Sequence, residues 1–182
     1  MGVFLTLHDP ATAGQYYDTG VWTDDTFYSL AKAHASQAPE RVALIDGANA
    51  WTWSDVVARA DALAADLSGG GLVRGDRVCL WLSNRAHAVV AFIACSRQGF
   101  ACNPSLHRTY TCAEIRTLAA RLDAAAFITE ANWGADRDRV ELASLLEDLP
   151  TLKKFYDFAD LPEPGLVPST PPVHAPDAVA YM

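Results

Sequence analysis

The strongest constraint on what this chain can fold into is an alternation. Short apolar runs take turns with stretches whose apolar residues recur at helical spacing, and little sequence separates them. Residues 42–46, 77–82, 100–102, 125–129 and 153–158 read as strands. Between them, Val56, Ala60, Leu63, Ala64 and Leu67 fall at i, i+4, i+7, i+8 and i+11, one buried face of a helix. Ala86, Val89, Val90, Ile93 and Ala94 form a second such stripe, and Ile115, Leu118, Ala119 and Leu122 a third. Val140, Ala143 and residues 146–149 mark another helix. Strands and helices in alternation predict an α/β fold, a mostly parallel sheet with helices on both faces. Run 77–82 is apolar on both sides, which marks a central strand.

Local signals sharpen the boundaries. Thr26 opens a helix with Phe27, Leu30, Ala31 and His34 on one face, and Pro39 stops it. Gly47-Ala48-Asn49 is turn material, with residues 50–52 returning as the second arm of a hairpin. Thr52 with Asp55, and Thr111 with Glu114, match capping boxes. Asn84 is expected to cap the helix that follows it. Gly69-Gly70-Gly71 and Gly99 are expected helix ends, because glycine takes the left-handed conformation there without a Cβ penalty.

The chain divides into four parts. Residues 1–25 show no clean period, and Tyr16, Tyr17 and Trp22 suggest an arm lying on a larger body. Residues 26–160 form the α/β unit. Residues 161–176 hold Pro162, Pro164, Pro168, Pro171, Pro172 and Pro176, a linker that supports neither ladder nor helix. Residues 177–182 look like the start of another strand.

Charge and cysteine content narrow the function. Lys plus Arg total 14 and Asp plus Glu 22, for a net charge of -8. That balance argues against a nucleic-acid or anionic-membrane partner, since both need a cationic surface. No stretch is long and apolar enough to span a bilayer. Cys79, Cys95, Cys102 and Cys112 form no C-x-x-C pair, and three of them lie in apolar runs. A reducing, cytoplasmic setting is the expectation. The residues from Gly2 onward fit the N-myristoylation template, a short and loose pattern.

Catalytic patterns are scarce. Gly69-Gly70-Gly71 and Gly75 match neither a dinucleotide fingerprint nor a phosphate loop, and they follow a helix where such loops follow a strand. Arg74-Gly75-Asp76 reads as a turn. His8, His34, His87, His107 and His174 lack the metal spacing, and there is no G-x-S-x-G elbow. One region stands out. Ligands of parallel sheets gather beyond the carboxyl ends of the strands. Those ends supply Ser83 and Asn84, then residues 103–108, then 130–133. Asn84, Asn103, Ser105, His107 and Arg108 combine a rigid turn, donors and a cation, and are candidates for the edge of a substrate or CoA tunnel. The competing reading is plain capping and surface solvation.

The order of segments resembles the N-terminal region of the adenylate-forming superfamily, which includes acyl-CoA synthetases, aryl acid–AMP ligases and luciferases. The matching residues are Ala38-Pro39-Glu40-Arg41-Val42-Ala43-Leu44, Thr52-Trp53, Ala60-x-x-Leu63-Ala64-x-x-Leu67, Gly71-Leu72-Val73-Arg74-Gly75-Asp76-Arg77-Val78 and Leu82-Ser83-Asn84. Gly99, Asn103-Pro104 and Glu114 follow in order. Tyr17-x-x-Gly20-x-Trp22-x-x-x-Thr26 resembles the start of aryl and alicyclic acid ligases.

The resemblance implies the N-terminal subdomain of the adenylate-forming fold. For the complete enzyme it implies ATP, Mg2+ and CoA, and a carboxylic acid activated as acyl-adenylate before CoA displaces AMP. An aromatic, alicyclic or medium-chain acid is favoured. The family's Ser/Thr/Gly-rich phosphate loop would begin just after a strand like 177–182, and no residue here matches it. The isolated chain is therefore expected to be inactive and to bind no cofactor. Its expected partners are the C-terminal remainder of the same enzyme and, through apolar surface near residues 178–182, other copies of itself. The alternatives are a stand-alone binding module built on this half-domain and an unrelated small α/β enzyme.

Overall fold

A computed structural model describes residues 9–104 and 106–182. In chain order the elements are α1 (Pro10–Asp18), α2 (Phe27–Gln37), β1 (Val42–Asp46), β2 (Asn49–Thr52), α3 (Trp53–Gly69), β3 (Arg77–Trp81), α4 (Ala86–Gln98), β4 (Ala101–Asn103), α5 (Cys112–Arg121), β5 (Ala124–Thr129), α6 (Leu142–Leu146) and β6 (Lys154–Asp157). A short 3-10 turn, Phe158–Asp160, follows β6. Strands β4-β3-β5-β6 lie side by side in that order, every pair parallel, and β1 and β2 make a separate antiparallel hairpin. The expected α/β architecture with a parallel sheet is present, and β3 is central to it.

Two apolar cores sandwich the sheet. Helices α2, α3 and α4 cover one face, where Leu63, Leu67, Val90 and Ala94 meet Val78, Leu80, Ala126 and Ile128. Helices α5 and α6 cover the other, where Ile115, Ala119, Leu142 and Leu146 meet Cys79, Trp81 and Phe127. Each fully buried leucine in these layers contributes about 1.5–3 kcal/mol relative to exposure. The alternation of faces along β5 depends on one extra residue. Arg77 pairs with Ala124 but Val78 with Ala126, so Ala125 is bulged. After it, Phe127 and Ile128 point into opposite cores.

The helix ends follow their sequence signals. At α3, Thr52 accepts from the Asp55 N–H at 3.2 Å and Asp55 accepts from the Thr52 N–H at 2.9 Å. Its far end is closed by Leu72 N–H donating to the Leu67 carbonyl at 3.1 Å and Gly71 N–H to the Ser68 carbonyl at 2.9 Å. Gly71 takes φ 86°, which this closure requires. The Thr111–Glu114 box at α5 and the left-handed Gly99 after α4 are also formed.

Other features differ from the sequence expectation. The arm contains α1, begun by an Asp9 cap and Pro10, although only Ala13 of that helix is buried and no apolar stripe announces it. Asn84 does not cap α4. Arg85 precedes the helix without a side-chain cap, and Asp46 of β1 accepts from the Ala86 N–H at 3.1 Å instead. Val89 is 41% exposed, and the buried stripe of α4 runs through Ala91 and Cys95. The helix expected over 140–149 shortens to α6. All four cysteines are buried and unbridged. Within residues 177–182 the ladder is a single parallel bridge, Tyr181 to Cys102. No described helix is long and apolar enough to cross a membrane. Gly2 lies outside the described residues.

Candidate functional site

Beyond the carboxyl ends of β3 and β5 the chain makes two polar clusters. In the first, Glu130 follows β5 directly and accepts from the Ser83 N–H at 2.7 Å. Arg85 donates to the other Glu130 oxygen at 2.9 Å and reaches Asp46 at 3.5 Å. Burial works to raise the Glu130 carboxyl, but the donors from Ser83 and Arg85 overcome it and hold the group below its ordinary value. The Arg85 guanidinium also lies 5.3 Å from the Phe158 ring. One carboxylate thus ties the ends of two neighbouring strands to the start of α4.

His87, the second residue of α4, sits between Trp51 of the hairpin, which it meets edge-on, and Phe158, to which it is tilted, each ring centroid 4.8 Å away. Its Nδ1 is buried and makes no hydrogen bond. Burial is the main reason its pKa falls below the ordinary value, with Arg59 and Arg85 adding to the effect and Asp46 and Glu163 opposing it.

The second cluster surrounds Trp81, the last residue of β3. Its indole Nε1 donates to the His107 carbonyl at 2.9 Å. The exposed His107 ring meets Tyr110 edge-on at 5.9 Å. The exposed Arg108 guanidinium lies 5.2 Å from the Trp133 ring. Gly134 packs against Trp81 so closely that a Cβ there would sit 2.4 Å from the indole.

These positions place the sequence-derived candidates. Asn84 is exposed between Ser83 and Arg85 of the first cluster, and Asn103 is buried at the end of β4. His107 and Arg108 are brought to the β3–β5 end, and Ser105 lies outside the described residues. Sequence reasoning missed Asp46, Arg85 and His87. A charge just past each of two apolar strands was visible at Arg85 and Glu130, but not that those strands are neighbours. Arg85 is committed to Glu130 and Asp46, whereas Arg108 makes no ion pair with a carboxylate among the described residues and lies over Trp133. Among the described residues no group of three or more His, Cys, Asp or Glu is placed to hold a metal ion.

A parallel sheet covered on both faces, with polar groups gathered past the strand ends, defines an α/β protein of the class whose ligands gather at that edge. The sequence pattern of the AMP-binding enzyme family matches residues 31–182, and the chain belongs to that family. It is 35% identical over 150 residues to the vibriobactin-specific 2,3-dihydroxybenzoate-AMP ligase of Vibrio cholerae serotype O1, covering 79% of this chain and 26% of that protein. It is 33% identical over 150 residues to the salicyl-AMP ligase / salicyl-S-ArCP synthetase of Mycobacterium tuberculosis, covering 78% and 26%. Among solved structures, apo MbtA of Mycobacterium smegmatis superposes with a TM-score of 0.71 at 28% identity, over 95% of this chain and 34% of that one. The chain spans about a quarter of the length of these curated relatives.

Proposed function

We propose that this chain is the N-terminal scaffold of an AMP-forming acid–thiol ligase whose substrate is an aromatic carboxylic acid. The reaction would join the acid to the α-phosphate of ATP with loss of pyrophosphate. A thiol, CoA or a carrier-protein thiol, would then displace AMP. The supporting observation is the match to aryl-acid ligases over most of the chain's length. It favours an aromatic acid within the wider aromatic, alicyclic or medium-chain set, although a medium/long-chain fatty acid ligase of Mycobacterium marinum is also among the relatives, at 32% identity. CoA is the acceptor expected from sequence, and a salicylyl-CoA synthase from Streptomyces sp is among the relatives, at 31% identity.

ATP and Mg2+ belong to the complete reaction, which needs cations and backbone donors around the transferring phosphate. No residue of this sequence matches the family's phosphate loop, so this chain alone is read as inactive. Its contribution is to hold a flat edge, Trp133 under Arg108 with His107 beside it, at the carboxyl ends of β3 and β5, the edge of an acid or thiol tunnel. Its partners on this reading are the remainder of the enzyme and, through exposed apolar surface, a second copy.

The test is to express the whole reading frame that contains these residues and follow ATP–pyrophosphate exchange with benzoate, salicylate, 2,3-dihydroxybenzoate, an alicyclic acid and a medium-chain acid. Exchange led by an aromatic acid is the expected result. No exchange with any acid would defeat the reading. A stop codon directly after Met182 in the native gene would favour a stand-alone binding module.

A further inference from the structure

The proline-rich segment is not a free tether, and one buried side chain accounts for that. Arg97, in the last turn of α4, is 4% exposed. Its Nε donates to Asp61 of α3 at 2.7 Å, and Asp61 also accepts from the Tyr28 hydroxyl of α2 at 2.9 Å. The remaining face of the guanidinium turns outward. Its NH1 group donates to the Gln98 side-chain oxygen at 3.0 Å and to the Thr170 carbonyl at 3.2 Å. The Arg97 carbonyl accepts from the Val173 N–H at 2.7 Å. Gln98 Nε2 lies 3.3 Å from the Thr170 hydroxyl. One residue therefore holds the chain at positions 170 and 173 from both its side chain and its backbone.

What this anchorage controls lies a few residues on. Asp177 is held by the Tyr17 hydroxyl of α1 at 2.8 Å. Ala180 then accepts from the Cys102 N–H at 2.9 Å, and the Met182 N–H donates to the Cys102 carbonyl at 3.0 Å. That single bridge is too short to fix its own register. A shift of one residue would exchange the faces of Ala180 and Tyr181.

We propose that Arg97 is a positioning residue. By gripping residues 170 and 173 it sets where the chain meets β4, and so fixes the register of residues 180–182 against Cys102. The charge is buried because it has a second duty besides pairing with Asp61. A buried pair alone is poor evidence of stabilisation, since apolar residues of the same volume often serve as well. Only the planar fork of arginine joins a carboxylate on one side to a carbonyl on the other. In the ligase reading, the chain beyond residue 182 carries the nucleotide grip, and Arg97 would position it from beneath. That last clause alone depends on the proposed function.

The test is amide hydrogen exchange at Cys102, read by NMR in this chain, with Phe127 and Ile128 in β5 as internal controls. Arg97→Lys keeps a charge for Asp61 but loses the fork. Val173→Pro removes the donor to the Arg97 carbonyl, together with the valine side chain beside Gly99, and leaves the buried pair intact. Exchange at Cys102 should accelerate about tenfold or more in each variant, because local openings sense individual hydrogen bonds, while the β5 amides keep their rates. Unchanged exchange at Cys102 in both variants overturns the inference. So does a uniform acceleration of Cys102 and β5 together in Val173→Pro, which would make the strap a general stabiliser. If Arg97→Lys does not fold, the Val173→Pro result decides by the same two criteria. Failure here would leave the ligase proposal standing, because the reporter never involves catalysis.

Discussion

Replacing Asp46 by alanine separates a tertiary helix cap from an ion pair. Asp46 ends β1, yet its Oδ2 accepts from the Ala86 N–H that opens α4. Losing a cap of this kind costs about 1 kcal/mol, within a range of roughly 0.5–2. Its other oxygen is 3.5 Å from Arg85, whose side chain is 39% exposed, and such a contact adds at most about 0.5 kcal/mol after screening. The sum is about 1.5 kcal/mol. A chain of this size shifts its Tm by about 2–4 °C per kcal/mol, so Asp46→Ala should melt about 3–6 °C lower. Asp46→Asn keeps the acceptor and loses the charge, and should fall by no more than about 2 °C by the same scaling. Circular dichroism melts at neutral pH measure both, with urea titration checking that the m-value is unchanged. An alanine variant melting within about 1 °C of the parent would refute the cap. An asparagine variant as unstable as alanine would show that charge, not capping, is the operative contact.

Three further outcomes are expected. Gly134→Ala would force a Cβ to 2.4 Å from the Trp81 ring at a φ of 141°, and should cost about 1–3 kcal/mol with a change in tryptophan emission; an unchanged urea midpoint would contradict the close packing. The Glu130 carboxyl has its folded pKa below the ordinary value, so its stabilising contribution is complete above that ordinary value, fades as pH falls below it, and is gone once pH passes the folded pKa. Glu130→Gln should flatten that acid segment of the stability–pH curve, and an identical curve would remove Glu130 from the account. Phe27 and Leu30 are 52% and 45% exposed beside an apolar cleft of about 230 Å³ lined also by Phe100, Val173 and Val179. The chain should self-associate with concentration and take up a hydrophobic dye, and Phe27→Ser should weaken both; a dye-negative monomer in sedimentation would count against an interaction surface there.

Most of the fold was legible because local signals and the global arrangement agree. The Thr52–Asp55 and Thr111–Glu114 boxes, the stripe from Val56 to Leu67, and the doubly apolar β3 each point to one structure. The misreadings share a cause. At α1, stability comes from an Asp-Pro start with little burial, so periodicity carried no signal. At α4, Asn84 is in the right place for a cap, but the acceptor arrives from a hairpin nearly forty residues earlier, and no local pattern encodes that. Val89 fits the helical period, but the covering layer does not extend over it. The site was legible to the extent that ligands gather at strand ends. His107 and Arg108 could be named from the turn that holds them. Arg85, Glu130 and Asp46 could not be joined without the strand order, which the sequence pattern leaves open.

The bulge at Ala125 has a bearing on how such a chain can vary in length. Everything downstream in β5 owes its orientation to an odd-versus-even count, and that count is settled by one small side chain. Loss of a single alanine there would not merely shorten a strand. It would invert it, sending Phe127 toward α3 and Ile128 toward α5, each into a space shaped for the other. Lengthening a flexible surface loop adds closure entropy only slowly, but at this point parity is the quantity that must be preserved.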